Sequence, residues 1–280
     1  MRVLATRLRL AAWLGWQIES NWAAPLTFVV YSVLRPIGTA LILTAMYWTV
    51  ARQGASAAAF TGFYVANAFH EYVVRVLIGM GWVIVEEREE YETLRYVYTS
   101  PVGLLTYLAG RSSVKFALAS VSVALILGLG WTVLGVRWEP SQMRLIPFAA
   151  AFAIGLVATL FAGFMVAGLA LVLPRNAINL NEGLGVALFL MCGVIFPIDL
   201  LPHGLRELSL MLPFTYWYEA LRRLLTGHSA SAMLATWSDA RLIASLAIST
   251  AALAIASVFC FRALERRARR LGRLDHSTLF

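Results

Sequence analysis

From Leu242 to Phe261 the chain carries no charged residue, and Arg241 and Arg262 bound the run. A helix needs about 20 apolar residues to cross the ~30 Å hydrocarbon core of a bilayer, so this run has the length of a membrane span. Phe116 to Val136 and the longer Leu145 to Leu173 read the same way, and Gly183 to Ile198 is shorter but also uncharged. Two earlier spans are interrupted: Pro25 to Val50 by Arg35, and Phe60 to Val85 by His70, Glu71 and Arg75. The expected fold is an all-α membrane protein with six transmembrane helices, forming one domain over residues 1–280. Composition agrees. The chain is 60% hydrophobic and 14% charged, where a soluble domain is about half apolar and about a quarter charged. No polar block is long enough to fold separately.

Charge sets the orientation. The net charge of +8 is almost wholly arginine, Lys115 being the only lysine. With both termini inside, the inner loops hold Arg2, Arg7, Arg9, Arg88, Arg95, Arg111, Lys115, Arg175 and the tail arginines Arg262, Arg266, Arg267, Arg269, Arg270 and Arg273. The outer side holds Arg52, Arg137, Arg144, Arg206, Arg222, Arg223 and Arg241, so basic residues favour cytoplasmic termini. Trp22, Trp48, Trp82, Trp131 and Trp237 near span ends fit interfacial belts. Basic residues scattered among apolar spans argue against nucleic-acid binding. Cys192 and Cys260 fall in expected spans and read as small buried hydrophobes.

Residues 1–24 do not read as a signal peptide. The apolar run Leu10 to Trp16 is short, Gln17 and Glu19 follow it, and no cleavage site ends it. Leu10, Leu14 and Ile18 recur every four residues, which points to an amphipathic helix lying at the cytoplasmic interface, anchored by Trp13, Trp16 and Trp22.

Glu86 to Val102 is a short acidic segment between two apolar runs. Tyr91, Leu94 and Tyr98 recur at helical spacing, and Glu86, Glu87, Glu89 and Glu90 crowd what reads as a first turn, where carboxylates suit the helix dipole. Ser100 and Pro101 read as the cap and first residue of the following helix. The pattern gives a helix over residues 86–99, parallel to the membrane, which either transmits force from a partner or is a solvated loop helix.

Three further segments stand out. Asp199 to Gly227 holds two amphipathic pieces, each too short to span, punctuated by Pro197, Pro202 and Pro213; residues 200–227 read as a re-entrant or interfacial hairpin on the outer side. It is a gate or a surface-lying hairpin. Glu71 and Arg75 are four apart and can pair, with His70 on a neighbouring face. Charges at the bilayer centre cost roughly 2.5–3.5 kcal/mol each on insertion scales, so this cluster, with Arg35 as a further partner or snorkelling side chain, is a translocation path element or a structural ion pair. Ala151, Gly155, Thr159, Gly163 and Ala167 form a small-residue stripe that lets another helix approach, within the subunit or across a dimer.

Absent motifs narrow the chemistry. There is no Gly-Lys-Ser/Thr, so the chain is not its own P-loop ATPase, and neither His-Glu-x-x-His nor Gly-x-Ser-x-Gly occurs. The histidines His70, His203, His228 and His276 have no metal-ligand spacing, and no catalytic or metal site is expected.

The order of these features resembles the permease subunit of bacterial type-two ABC exporters, which have six spans, cytoplasmic termini, an N-terminal interfacial helix and an acidic coupling helix between the second and third spans. Glu87, Arg88 and Glu89 match that helix's start, Thr93 and Leu94 its middle, Ser100 and Pro101 its end. Glu92 stands where glycine is usual and Arg95 where glutamate is usual. Phe196-Pro197, Leu201-Pro202, Pro213-Phe214 and Glu219-Ala220-Leu221-Arg222 resemble the outer re-entrant region after the fifth span. The resemblance implies a bacterial inner-membrane half-transporter: two permeases, as a homodimer or with a related permease, and two copies of a separate ATP-binding subunit that holds ATP and Mg. Glu86, Glu87, Arg88, Glu89, Glu90, Tyr91, Thr93, Leu94 and Tyr98 would couple to that ATPase. Arg35, His70, Glu71, Arg75, Pro197, Pro202, Pro213 and Glu219 would line or gate the path. The implied cargo is amphipathic, lipid-linked, glycan-type or a hydrophobic drug. The alternatives are an ion-coupled secondary transporter using His70, Glu71 and Arg75, and a non-transporting assembly protein.

Overall fold

A computed structural model describes residues 2–21, 24–51, 57–136 and 143–272, and every regular element among them is helical. In chain order the α-helices are α1 (Arg2–Asn21), α2 (Pro25–Ala51), α3 (Ala57–Tyr72), α4 (Gly79–Val85), α5 (Leu94–Thr99), α6 (Leu104–Thr132), α7 (Leu145–Val172), α8 (Ala177–Met191), α9 (His203–Met211), α10 (Pro213–Thr226), α11 (Ala232–Ala235) and α12 (Asp239–Arg270). π-Helical turns at Val73–Ile78 and Glu86–Glu90 join and extend α3 and α4. Trp22, Arg52, Arg137, Arg273 and His276 lie outside the described residues.

Five helical segments among the described residues are long and apolar enough to cross a membrane: Leu26–Thr49, Ala59–Glu90, Leu104–Thr132, Leu145–Val172 and Asp239–Arg270. The remaining expected span, the fifth in chain order, is a shorter helix displaced toward the N-terminus. α8 has 15 residues, about 22 Å at ~1.5 Å per residue, and Gly193, in the left-handed region at φ 80°, turns the chain away before Ile198. The third span starts earlier than expected, at Leu104 rather than Phe116. Arg111 and Lys115 do not end the hydrophobic helix, because both are buried against carboxylates.

The segment Ala59–Glu90 is the axis of the molecule, 78% buried where no other span exceeds 39%. α6 and α7 flank it, α8 packs on α4, and α12 lies along α7. α1 runs against α6, where Ala11 and the backbone of Gly110 meet so closely that a side chain at Gly110 would collide. At about 48 Å the axial helix is longer than the ~30 Å hydrocarbon core. Its two ends therefore form two distinct sites, one around Gly62 and one around Glu90.

The small-residue stripe of α7 faces this subunit's own helices. Gly155 lies under the Trp217 indole of α10, and Gly163 under Met80 and Leu77. Ala151, Thr159 and Ala167 are fully buried. The stripe is an intramolecular seam, and a dimer seam along it is ruled out by its own occupants.

Candidate functional site: two charged nodes at opposite ends of the axial helix

At the Glu90 end, three elements meet through charge. Arg111 of α6 is almost fully buried, and its guanidinium lies 3.0 Å from Glu86, 3.5 Å from Glu87 and 3.9 Å from Glu19 of α1. Lys115, one turn further along α6, pairs with Glu19. Glu87 also accepts hydrogen bonds from the Tyr107 and Thr93 hydroxyls. Arg88 pairs with its neighbour Glu89 at 2.7 Å and donates to the Ala170 carbonyl of α7 at 3.0 Å. Burial alone would push the Glu19 carboxyl up, but the Lys115 ammonium and the Arg111 guanidinium outweigh it and hold that carboxyl below its ordinary range. The node locks α1, α6, α7 and the end of the axial helix into one body.

This differs from the single helix expected over residues 86–99. Glu86–Glu90 form the last turn of the axial helix, and only Leu94–Thr99 form a separate helix, α5. The carboxylates thus sit at a helix C-terminus, where the dipole disfavours them; Arg111, Lys115 and Arg88 supply the compensating charge. Tyr91 donates its N–H to Glu86 O at 2.9 Å and Thr93 to Glu87 O at 2.8 Å, wrapping the chain around the helix end. Between them Glu92 adopts φ 50°, the only non-glycine with positive φ among the described residues. Ser100 closes α5, its hydroxyl bonding Val97 O at 2.8 Å, and Gly103 at φ 75° starts α6. Ser100 and Pro101 therefore do not open the following helix, because Gly103 supplies the left-handed step that re-aims the chain.

The residues expected to couple to an ATPase separate into two sets. Glu87, Arg88, Glu89 and Leu94 are buried, and Glu86 and Thr93 are half-buried in the node. Tyr98 is half-buried under Arg269 of α12, whose guanidinium lies 4.8 Å from the ring centroid, and burial pushes the Tyr98 phenol well above its usual range. Glu90 and Tyr91 are exposed, and with them Glu92, Arg95, Tyr96 and Thr99. Arg95 lies over the Tyr96 ring at 4.9 Å, so this rim presents a stacked cation and aromatic flanked by two carboxylates.

Near the middle of the axial helix, Glu71 and Arg75 pair at 3.3 Å on the edge of the first π-helical turn. His70 is not part of that pair. Its Nδ1 lies 2.8 Å from the Tyr218 hydroxyl of α10. Arg35 is exposed on α2.

At the Gly62 end, α10 is inserted between α3, α7 and α12 and is buried along almost its whole length, while α9 stays exposed. Arg222 is its anchor. It donates to Glu219 at 2.8 Å, to Gly62 O at 2.9 Å and to Gly193 O at 2.6 Å, and its guanidinium packs on Phe63. Glu219 also accepts from Ala230 N at 3.0 Å. Each flagged proline starts a helical turn: Pro197 precedes the short 3₁₀ turn Ile198–Leu200, Pro202 precedes α9, and Pro213 opens α10. A missing N–H costs nothing there, since the first turn has no acceptor for it.

Sequence reasoning missed Glu19, Tyr107, Arg111, Lys115 and Tyr218 as site residues. The available signal was the spacing of Arg111 and Lys115, four apart on one helix face at the edge of an apolar run, which demands carboxylates from elsewhere in the fold.

A membrane-crossing helical body, a charged node fixing a short segment at one end, and an inserted helix at the other are the parts on which the comparison bears. No curated protein matches the chain. The ABC-2 type transporter family matches residues 9–226, which run from within α1 to the end of α10 and hold the charged side chains of both nodes. That match covers most of the 280 residues, and the chain belongs to the ABC-2 type transporter family.

Proposed function

We propose that this chain is the permease subunit of an ATP-driven exporter of the bacterial inner membrane, with both termini cytoplasmic. Two permease copies, identical or related, work with two copies of a separate ATP-binding subunit, which holds ATP and Mg and does the hydrolysis. The cargo is amphipathic, lipid-linked, glycan-type or a hydrophobic drug, moved outward. Family membership makes the chain a transmembrane transport component rather than a catalyst. The observation that carries the finer reading is the construction of the Glu90 end. A rim of Glu90, Tyr91, Glu92, Arg95 and Tyr96 faces outward, while the residues behind it are locked by buried charges into α1, α6 and α7. A push on such a rim moves whole spans, which a flexible loop could not do.

In this reading the exposed rim makes the contact, whereas the buried Glu87, Arg88, Glu89 and Leu94 act by positioning it. Co-expression with the candidate ATP-binding subunit tests this. Arg95→Glu with Tyr96→Ala is expected to lower co-purification of the ATPase at least about tenfold, equivalent to losing roughly 1.4 kcal/mol, with membrane insertion unchanged. A wild-type ratio of the two subunits would remove the rim from the interface. Ion coupling through a His70, Glu71 and Arg75 cluster has less support, since His70 bonds Tyr218 instead.

A further inference from the structure

On α12, Ile248, Ile255 and Phe259 are exposed, at 71%, 63% and 70%, on a helix whose opposite face packs along α7. Their spacing of seven and four puts them on one face. The same face continues three and four residues at a time through Arg262, Arg266 and Arg270, all exposed. None of these three arginines has an ion-pair partner among the described residues, whereas Arg269 beside them is taken by Glu265 at 2.7 Å and by Tyr98. An exposed apolar stripe thus turns into a ladder of guanidinium groups where the uncharged run ends.

From Leu242 to Phe261 the helix rises about 30 Å, one hydrocarbon thickness. Arg262 and Arg266 then fall in the headgroup layer of that leaflet, and Arg270 lies one turn beyond, within side-chain reach. Guanidinium presents a planar fork of donors that matches phosphate oxygens in bidentate fashion. An exposed apolar stripe that runs, after one hydrocarbon thickness, straight into a row of guanidinium groups matches in order the acyl chains and the phosphate layer of a single leaflet. We propose that Arg262, Arg266 and Arg270 form a docking ladder for the headgroups of anionic phospholipids, holding a small annulus of them against α12.

The inference does not depend on the transport reading, because lipid retention can be measured without ATPase or cargo. Full-length permease, reconstituted in vesicles of phosphatidylcholine and phosphatidylglycerol and then extracted, is analysed by native mass spectrometry for retained lipid. Wild type is expected to retain phosphatidylglycerol over phosphatidylcholine. The preference should fall about fivefold for each of Arg262→Gln, Arg266→Gln and Arg270→Gln, the size expected for one basic residue near an anionic surface. Arg241→Gln, at the opposite end of the same helix, should leave it intact. All four substitutions are at exposed positions, and the single variants keep the test readable even where the triple variant expresses poorly. Equal retention of the two lipids by wild type overturns the proposal, as does an undiminished preference in the triple variant. A triple variant that keeps its lipid but loses the co-purifying ATPase overturns it too, and assigns the ladder to a protein contact.

Discussion

Glu92 shows how one residue can be legible in the sequence and explicable only in the structure. The chain needs a left-handed residue there, at φ 50°, to end the axial helix and start the α5 turn, a position that suits glycine. A non-glycine residue in that region costs roughly 1–2 kcal/mol, and glycine would forgo it at some entropic cost. Glu92→Gly is therefore expected to raise stability by about 0.5–1 kcal/mol, read as a higher melting temperature of the detergent-purified protein; a fall would mean the carboxylate makes a compensating contact. Glu87 is the converse case. It reads as a displayed coupling charge, yet it is 2% exposed and saturated by Arg111, Tyr107 and Thr93. Reversing it to Lys places like charge beside Arg111 in a buried site, so Glu87→Lys is expected to reduce the yield of folded protein rather than selectively weaken a partner. Normal yield measured by fluorescence-detected size exclusion would contradict that.

The clearest lesson among elements concerns α1. Its apolar repeat is evident from Leu10, Leu14 and Ile18, and Leu10, Trp13 and Leu14 remain uncovered by protein. Its attachment was not evident, because Glu19 finds Lys115 and Arg111 nearly a hundred residues away. The Glu19 carboxyl is held below its ordinary value in the folded state. Its contribution to stability is thus complete above the unfolded value, near 4.5, and is lost as pH falls through the lower folded value. Thermal melts from pH 7 down to about pH 3 should show α1 releasing early in wild type at the acid end, and Glu19→Gln should already lack that increment at pH 7. A variant with wild-type acid sensitivity would detach Glu19 from the effect. The acidic segment teaches a related point. Helical periodicity in Tyr91, Leu94 and Tyr98 cannot reveal that the helix breaks between Glu90 and Leu94, because the break is made by backbone geometry and not by composition.

Over the whole molecule, the Gly62 end is held by Arg222, which joins α10, the start of the axial helix and the chain after α8 through three hydrogen bonds. Removing one member of a buried ion pair typically costs about 3–5 kcal/mol, whereas replacing both can cost much less. Arg222→Met is accordingly expected to destabilise severely, and Glu219→Gln with Arg222→Met to recover part of the loss. The order of melting temperatures, wild type above the double variant and the double above the single, checks this; a double variant no better than the single would mean that the Gly62 and Gly193 carbonyls dominate. Any opening at this end has to move α10 with the spans it joins or break this anchor.

The sequence by itself determined an α-helical membrane protein, five of its spans, the existence of the acidic segment and the family, because long uncharged runs have one favourable solution in lipid and the motif order is local information. It also placed Glu71 beside Arg75, since an interval of four fixes that pair on any helix. Only the tertiary structure decided the rest. It chose the inserted over the surface-lying position for α10, directed His70 to Tyr218, closed the α7 stripe within the subunit and paired Glu19, Glu86 and Glu87 with Arg111 and Lys115. The physical reason is common to all four. A buried polar or small residue demands a partner, but the demand does not name one, and the partner is chosen by how distant helices pack.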